Sequence, residues 1–366
     1  MYIFQCSTFV LQNNAGKKEK HFTFKDFFHL DTLHDEHEGI KIITMEEFLT
    51  RQAPLLRDPI SNRTVPLPQG RVNWDGRSDI HQLWSFLRAV GHSNTEWTPD
   101  QCVAAFPATA DPEGVHRLQS MINDILQENH GKEPDPHSFT GKPYPVDAPP
   151  IDRLRENLGG DHRDKLCIYN TEMHEQSLVH FGHMGRDDDG VTRLLTHFYA
   201  FLFFEDWKQD LFYKRLVRDK VRYLDTLMCA AGRIIEAIRI RARQRNATNI
   251  NGEYDAMHIR RGDFQYKVTR LDPSKIYENS KDQLTEGATV FIATDERKNK
   301  RALLQPLADH YDLVFLEDFQ HLYKDIGTNY YGMLDQLVSY KSRVFIGTWF
   351  STFSGYINRL RGMLQF

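Results

Sequence analysis

The segment His258-Ile259-Arg260-Arg261-Gly262-Asp263-Phe264 follows an apolar run and contains a glycine that permits a sharp turn. On an extended chain positions 258 and 260 share one face. A guanidinium at the end of a strand presents a planar fork of donors suited to a diphosphate. The same residues also suit a pair of surface arginines salt-bridged to an aspartate, and taken alone the two readings are even. As an adhesion signal, Arg261-Gly262-Asp263 would be poorly displayed at a buried strand exit. Nearer the carboxy terminus, Phe345-Ile346-Gly347-Thr348-Trp349-Phe350-Ser351-Thr352-Phe353-Ser354 reads as a strand, a turn and a helix start. Hydroxyls and backbone N–H groups gather there, where the helix dipole favours an anion. Alternatively, Ser351 and Thr352 only cap the helix. Two anion-friendly features at neighbouring strand ends carry more weight than either alone.

Elements that could bring them together are legible around both segments. Apolar runs YDAMHIR (254–260), ATVFIAT (288–294), DLVFLED (312–318) and RVFIG (343–347) alternate with stretches of helical spacing. These stretches are SKIYENSKDQL, ERKNKRALLQPLADHY, NYYGMLDQLVSYKS (329–342) and STFSGYINRLRG (351–362). Continuous apolar strands between helices predict a parallel sheet covered on both faces, a doubly wound α/β domain with ligands at the carboxyl ends of its strands.

Upstream, MYIFQCSTFV reads as a strand, followed by a polar hairpin-like stretch at Asn13-Asn14-Ala15-Gly16-Lys17-Lys18. Thr44 is placed to cap a short helix whose first turn carries Glu46 and Glu47. Residues 52–80 are rich in loop formers, and His81–Val90 has helical spacing with Gly91 as its stop. The Pro-rich stretch 131–150 is an extended connector. KLCIYN (165–170) is a short buried-type strand, and HFYAFLFFEDWKQDLFYKRLVRD with YLDTLMCAAGRIIEAIRIRARQR reads as one long or two consecutive helices.

With 366 residues the chain has room for two domains, each with its own core. The expected division is 1–215 and 216–366. A net charge of −4 gives no basic footprint for nucleic acid, so no nucleic-acid partner is expected. Cys6, Cys102, Cys167 and Cys229 form no Cys-x-x-Cys, and no metal site is expected. They could make two disulfides in an oxidising lumen or none in the cytosol. Asn62-Arg63-Thr64 and Asn246-Ala247-Thr248 are N-glycosylation acceptors compatible with a secretory route. No apolar run approaches the ~20 residues that span a bilayer.

HIRRGDF, then FIATDE, then MLDQLVSYKSRVFIGTWFSTFSGYINRLRG resemble, in that order, motifs of the GDP-fucose fucosyltransferase superfamily, which includes protein O-fucosyltransferases and α1,2- and α1,6-fucosyltransferases. The likeness is strong over roughly 250–366. Residues 20–250 fit only in general pattern, through HFTFKDFFHLDTLHDEHEGIKIITMEEFL. The resemblance implies a GT-B-like α/β fold of two Rossmann-like domains, an inverting and metal-independent transfer of fucose from GDP-fucose, and a protein Ser/Thr or glycan hydroxyl as acceptor. It implies work in the ER or Golgi lumen, with a cytoplasmic form as the alternative. By the family's motifs, Arg260 stabilises the departing diphosphate, and His258, Asp263, Asp295, Asp335, Ser351, Thr352 and Phe353 belong to the donor site. The family's amino-terminal strand and Gly-Asn turn have no counterpart in the first fifty residues, so the amino-terminal domain is expected to be incomplete. No catalytic base is assigned; Glu205, Asp206, Asp75 and Glu172 remain as acidic residues, for each of which a structural role is the stronger reading. A non-catalytic GDP-sugar-binding or interaction protein is the competing function.

Overall fold

The computed structural model describes residues 2–4, 9–11, 20–22, 26–30, 41–43, 47–58, 60–67, 85–86, 89–90, 92–93, 102–130, 151, 155, 165–175, 179–180, 202–262, 267–296, 298–348 and 351–362. The chain divides into two compact units. One comprises Met1–Cys6, Gly39–Val217 and Gln365–Phe366; the other comprises Ser7–Glu38 and Arg218–Leu364.

The second unit holds the motifs. Its elements after residue 224 are α1 (Asp225–Arg245), β1 (Asp255–Ile259), α2 (Pro273–Ser280), β2 (Thr289–Thr294), α3 (Lys300–Leu303), α4 (Gln305–Ala308), β3 (Asp312–Phe315), α5 (Tyr331–Tyr340), β4 (Phe345–Ile346) and α6 (Thr352–Leu360). The four strands form one parallel sheet in the order β3-β2-β1-β4. The chain thus steps outward from β1 to β3, then crosses the sheet to add β4 on the other side of β1. This reversal is a topological switch point, and the crevice it opens lies at the carboxyl ends of β1 and β4.

Side-chain alternation builds a core on each face of the sheet. Ala256, Phe291, Ala293 and Val314 pack with Leu227, Ala230, Ile234 and Ile238 of α1 and with Leu334, Leu337 and Val338 of α5. Met257, Ile259, Val290, Ile292 and Phe315 point the other way, onto Leu284, Leu304, Leu307 and Tyr311. The buried positions of α1 recur at intervals of three and four, the spacing of one helical face. Asp272 begins α2 by accepting from Ser274 N at 2.9 Å, with Pro273 in the first turn where its missing N–H costs nothing. The expected helix over ERKNKRALLQPLADHY is broken into α3 and α4 at Leu304 (φ −92°, ψ 16°), just before Pro306. At the amino ends of the strands, charge serves the scaffold. Arg241 grips the Asp312 carboxylate through two bonds of 2.7 Å, and Arg343 Nη2 lies 2.7 Å from buried Asp255.

The amino-terminal segment of this unit contributes an antiparallel pair, Phe9–Leu11 with Lys20–Phe22, flanking the polar stretch read as a hairpin. Farther on, Phe28 stacks on Tyr223 at 5.0 Å and bridges to it.

In the first unit, Cys102–Phe106 lies between Lys165–Ile168 and Leu202–Phe204 in a parallel sheet. Helix Pro112–Asn129 packs Leu118, Ile122 and Ile125 against Ala105 and Phe203, and Asp111 caps it by accepting from Gly114 N at 2.7 Å. Leu202–Phe204 corrects the helical expectation for HFYAFLFF. Those residues are strand formers that complete the sheet edge, and the helix begins only at Trp207, after Asp206 accepts from Lys208 N. Helix Trp207–Lys220 and α1 are separate, divided by the extended Tyr223. Cys167 is disulfide-bonded, whereas Cys229 is an exposed free thiol. Thr44, Asp75 and the connector 131–150 lie outside the described residues. Among the described residues, no helix is long and apolar enough to cross a membrane, and no group of three or more His, Cys, Asp or Glu is placed to hold a metal ion.

Candidate functional site

Arg260 is the first residue beyond β1, on the carboxyl side of the switch point. Its backbone N–H donates to Thr348 Oγ1 at 3.1 Å, while that hydroxyl donates to the His258 carbonyl at 2.6 Å. One threonine beyond β4 therefore fixes both ends of the His-x-Arg triplet. The Arg260 guanidinium reaches Asp295 Oδ2 at 3.2 Å and remains about one-third exposed, so it is oriented yet accessible.

His258 is buried, with its ring 4.4 Å from that of Phe353 and its Nδ1 2.8 Å from Ser354 Oγ. Ser354 Oγ also accepts from Thr348 N at 3.0 Å, so one hydroxyl joins the β4 exit to His258. Burial, assisted by the Arg260 charge and opposed by Asp295, pushes the His258 pKa down to about 4. His258 thus works here as an uncharged strut between β1 and α6.

The start of α6 is held over the strand ends from both sides. At its far end Arg361 donates to the carbonyls of Tyr340, Ser342 and Arg343, tying α6 to the α5–β4 turn. At its near end Ser351 is the buried N-cap residue, but its side chain makes no capping bond. Thr352, the first helical residue, is exposed. The amino-terminal N–H groups of a helix have no intrahelical acceptors, and these point their partial positive charge towards the crevice end of the sheet. Gly347 allows the turn to pass close beneath: a Cβ there would lie 2.8 Å from Ser354 Cβ.

His258, Arg260, Asp295, Ser351 and Phe353 are therefore gathered at the ends of β1, β2 and β4 and the start of α6, with Thr352 on the exposed side of that start. Asp335 stands apart from this hydrogen-bonded group. Gln336, next along α5, touches the Phe353 carbonyl at 3.5 Å and accepts from Tyr223 at 2.6 Å. Asp335, about 100° round the helix, has an Oδ1 that is buried without a hydrogen-bond partner. Burial pushes its pKa up to about 8, against a lowering influence from Lys300. Asp263 lies outside the described residues. Sequence reasoning missed Thr348, Ser354 and Gln336; the hydroxyl-rich run from Gly347 to Ser354 was the signal for the first two.

In the first unit, Glu205 accepts from Arg117 Nε at 2.7 Å, from Arg117 Nη2 at 3.0 Å and from Ala108 N at 2.7 Å. The Arg117 bonds hold its carboxyl below the usual range despite partial burial. A carboxylate so occupied is a structural brace. Asp206 serves the helix start already described, and Glu172 lies in the first turn of helix Thr171–Glu175.

GDP-fucose protein O-fucosyltransferase 2 of Drosophila melanogaster is 32% identical to the chain over 149 residues, or 39% of this chain and 30% of that protein. The chain thus matches about a third of the length of that curated relative. POFUT1 in complex with GDP-fucose aligns over 97% of this chain and 85% of its own, at 12% identity and a TM-score of 0.35. POFUT1 in complex with GDP aligns over 94% and 83%, at 13% and 0.32. The sequence profile named GDP-fucose protein O-fucosyltransferase matches residues 7–364, nearly the whole length, and on that match the chain belongs to the GDP-fucose protein O-fucosyltransferase family.

Proposed function

We propose that the protein transfers fucose from GDP-fucose to a hydroxyl of a protein Ser/Thr or a glycan, with inversion at the anomeric carbon and without a metal, in a GT-B-like arrangement. The observation that carries this reading is the convergence of Arg260 with the uncapped start of α6 at the switch point of the parallel sheet. Breaking the bond between fucose and the diphosphate leaves positive character on the sugar and negative charge on the leaving group. Arg260 would meet that charge with two aligned donors, and the α6 N–H groups with fixed dipoles, at the moment it develops. Asp263, Asp335, Ser351, Thr352 and Phe353 complete the proposed donor site, with Asp295 paired to Arg260 beside it, and His258 holds Arg260 and α6 in register. The disulfide at Cys167 fits work in an oxidising secretory lumen, the localisation we favour.

Titration of the full chain with nucleotides tests the donor class. GDP and GDP-fucose should bind without added metal, and tighter than UDP by roughly 10-fold or more, a difference of ~1.4 kcal/mol. Equal affinity for UDP, or a requirement for Mg²⁺, would point to another donor. Binding of GDP without turnover of GDP-fucose would favour the non-catalytic alternative.

The missing capping bond separates two roles for the hydroxyls of α6. Ser351→Ala removes no cap, so the melting temperature should hold, whereas GDP affinity should fall by roughly 1–2 kcal/mol if the hydroxyl donates to a phosphate. Thr352→Ala, on the exposed side, should behave alike. A drop in melting temperature with GDP affinity unchanged would reduce both hydroxyls to structural elements.

A further inference from the structure

The donor-site role that the family's motifs imply for Asp295 is at odds with its contacts. Its Oδ1 accepts from Arg261 N at 2.7 Å, its Oδ2 accepts from Gly262 N at 3.0 Å, and the same Oδ2 pairs with Arg260 at 3.2 Å. Three consecutive residues of the β1 exit loop are thus wrapped around one carboxylate of the neighbouring strand. The neighbouring residue adds a fourth tie, Thr294 Oγ1 donating to the Ile259 carbonyl at 2.7 Å. Gly262 is fitted to this arrangement. A Cβ at position 262 would lie 2.4 Å from Asp295 Oδ2, so the glycine is needed for close approach of the carboxylate.

Two convergent backbone N–H groups beside an arginine form an anion-binding concavity. Here the protein fills it with its own carboxylate. We propose that Asp295 is a positioning residue, an internal anion that sets the β1 exit loop and aims Arg260, and that it makes no contact with the donor. This inference rests on the functional reading above. It has an unusual corollary: removing Asp295 also removes a negative charge beside the bound diphosphate. Ground-state GDP binding should survive or tighten while the aim of Arg260, on which the transition state depends, is lost.

The experiment uses Asp295→Ala, Gly262→Ala and the double variant in the full chain, with GDP titration, GDP-fucose hydrolysis and thermal unfolding. Asp295→Ala should lower kcat by ~10–100-fold, the scale of a misaimed catalytic group, with GDP affinity unchanged or several-fold tighter. Gly262→Ala should lower kcat by displacing the carboxylate, yet add nothing in the Asp295→Ala background, where no carboxylate remains to displace. A parallel loss of GDP affinity and kcat in Asp295→Ala would make Asp295 a direct donor ligand and overturn the inference. So would additive effects of the two substitutions, or full kcat in Asp295→Ala. If the wild type binds GDP but does not turn over, the prediction reduces to retained or tighter GDP affinity in Asp295→Ala, and a loss overturns it. A wild type that binds no GDP sinks the donor reading and this inference together.

Discussion

Arg260→Lys should leave GDP binding nearly intact and reduce kcat for GDP-fucose by ~10²-fold or more, as removal of an oxyanion donor does. Lysine keeps the charge, so a site that needs only positive potential would tolerate it. An ammonium is a point charge, however, and cannot present two coplanar donors to a diphosphate. The Thr348 bond to the Arg260 backbone and the Asp295 contact to its guanidinium fix the fork in place before any ligand arrives. A lysine would inherit the backbone anchor but not the aim. Because negative charge on the leaving group grows along the reaction, the deficit should appear in kcat more than in GDP affinity. Hydrolysis of GDP-fucose is the assay of choice, since it requires no knowledge of the acceptor. Near-full kcat in the lysine variant would remove Arg260 from its proposed role.

Much of this site could be read from the chain because its positions follow from local rules. The four apolar runs after residue 250 are the four strands of one parallel sheet, and carboxyl-end placement points to Arg260 and Ser351. Thr348 and Ser354 could not be ranked in this way. Their value lies in bonds to residues 88–96 positions away, and nothing local distinguishes a serine that buttresses a histidine from one facing solvent. Asp295 was visible as an acidic residue at a strand end, but its three partners on the β1 exit were not. Similarly, the spacing of α5 did not reveal that Gln336 turns to Phe353 while Asp335 turns elsewhere. The helical expectation for HFYAFLFF failed for a tertiary reason: a sheet edge recruited Leu202–Phe204, overriding a pattern that local spacing leaves ambiguous.

Asp335→Asn should make the protein more stable at neutral pH and weaken its hold on GDP. The wild-type residue is half-buried with its Oδ1 buried and unpartnered, and its pKa is pushed up to about 8 by burial. Below the unfolded-state value near 4 the native and unfolded chains both carry the proton, and Asp335 costs nothing through titration. Between pH ~4 and ~8 the unfolded chain releases the proton while the native chain keeps it, so stability falls by about 1.4 kcal/mol per pH unit. Above the folded-state pKa both states are ionised and the cost stays constant. An asparagine has no such titration. The stability of Asp335→Asn relative to wild type should therefore rise by ~3–5 kcal/mol from pH 4 to pH 8 and then level off. Denaturant unfolding of both proteins across that range measures the difference directly. A flat difference would mean that Asp335 is solvated or paired and titrates normally. A protein that keeps a carboxyl oxygen buried and unpartnered at such a cost commonly does so for function, and the companion measurement is GDP affinity at pH 7.5. Weaker GDP binding by the stabilised variant would place Asp335 in the donor site; unchanged binding would leave it a buried acid outside that site.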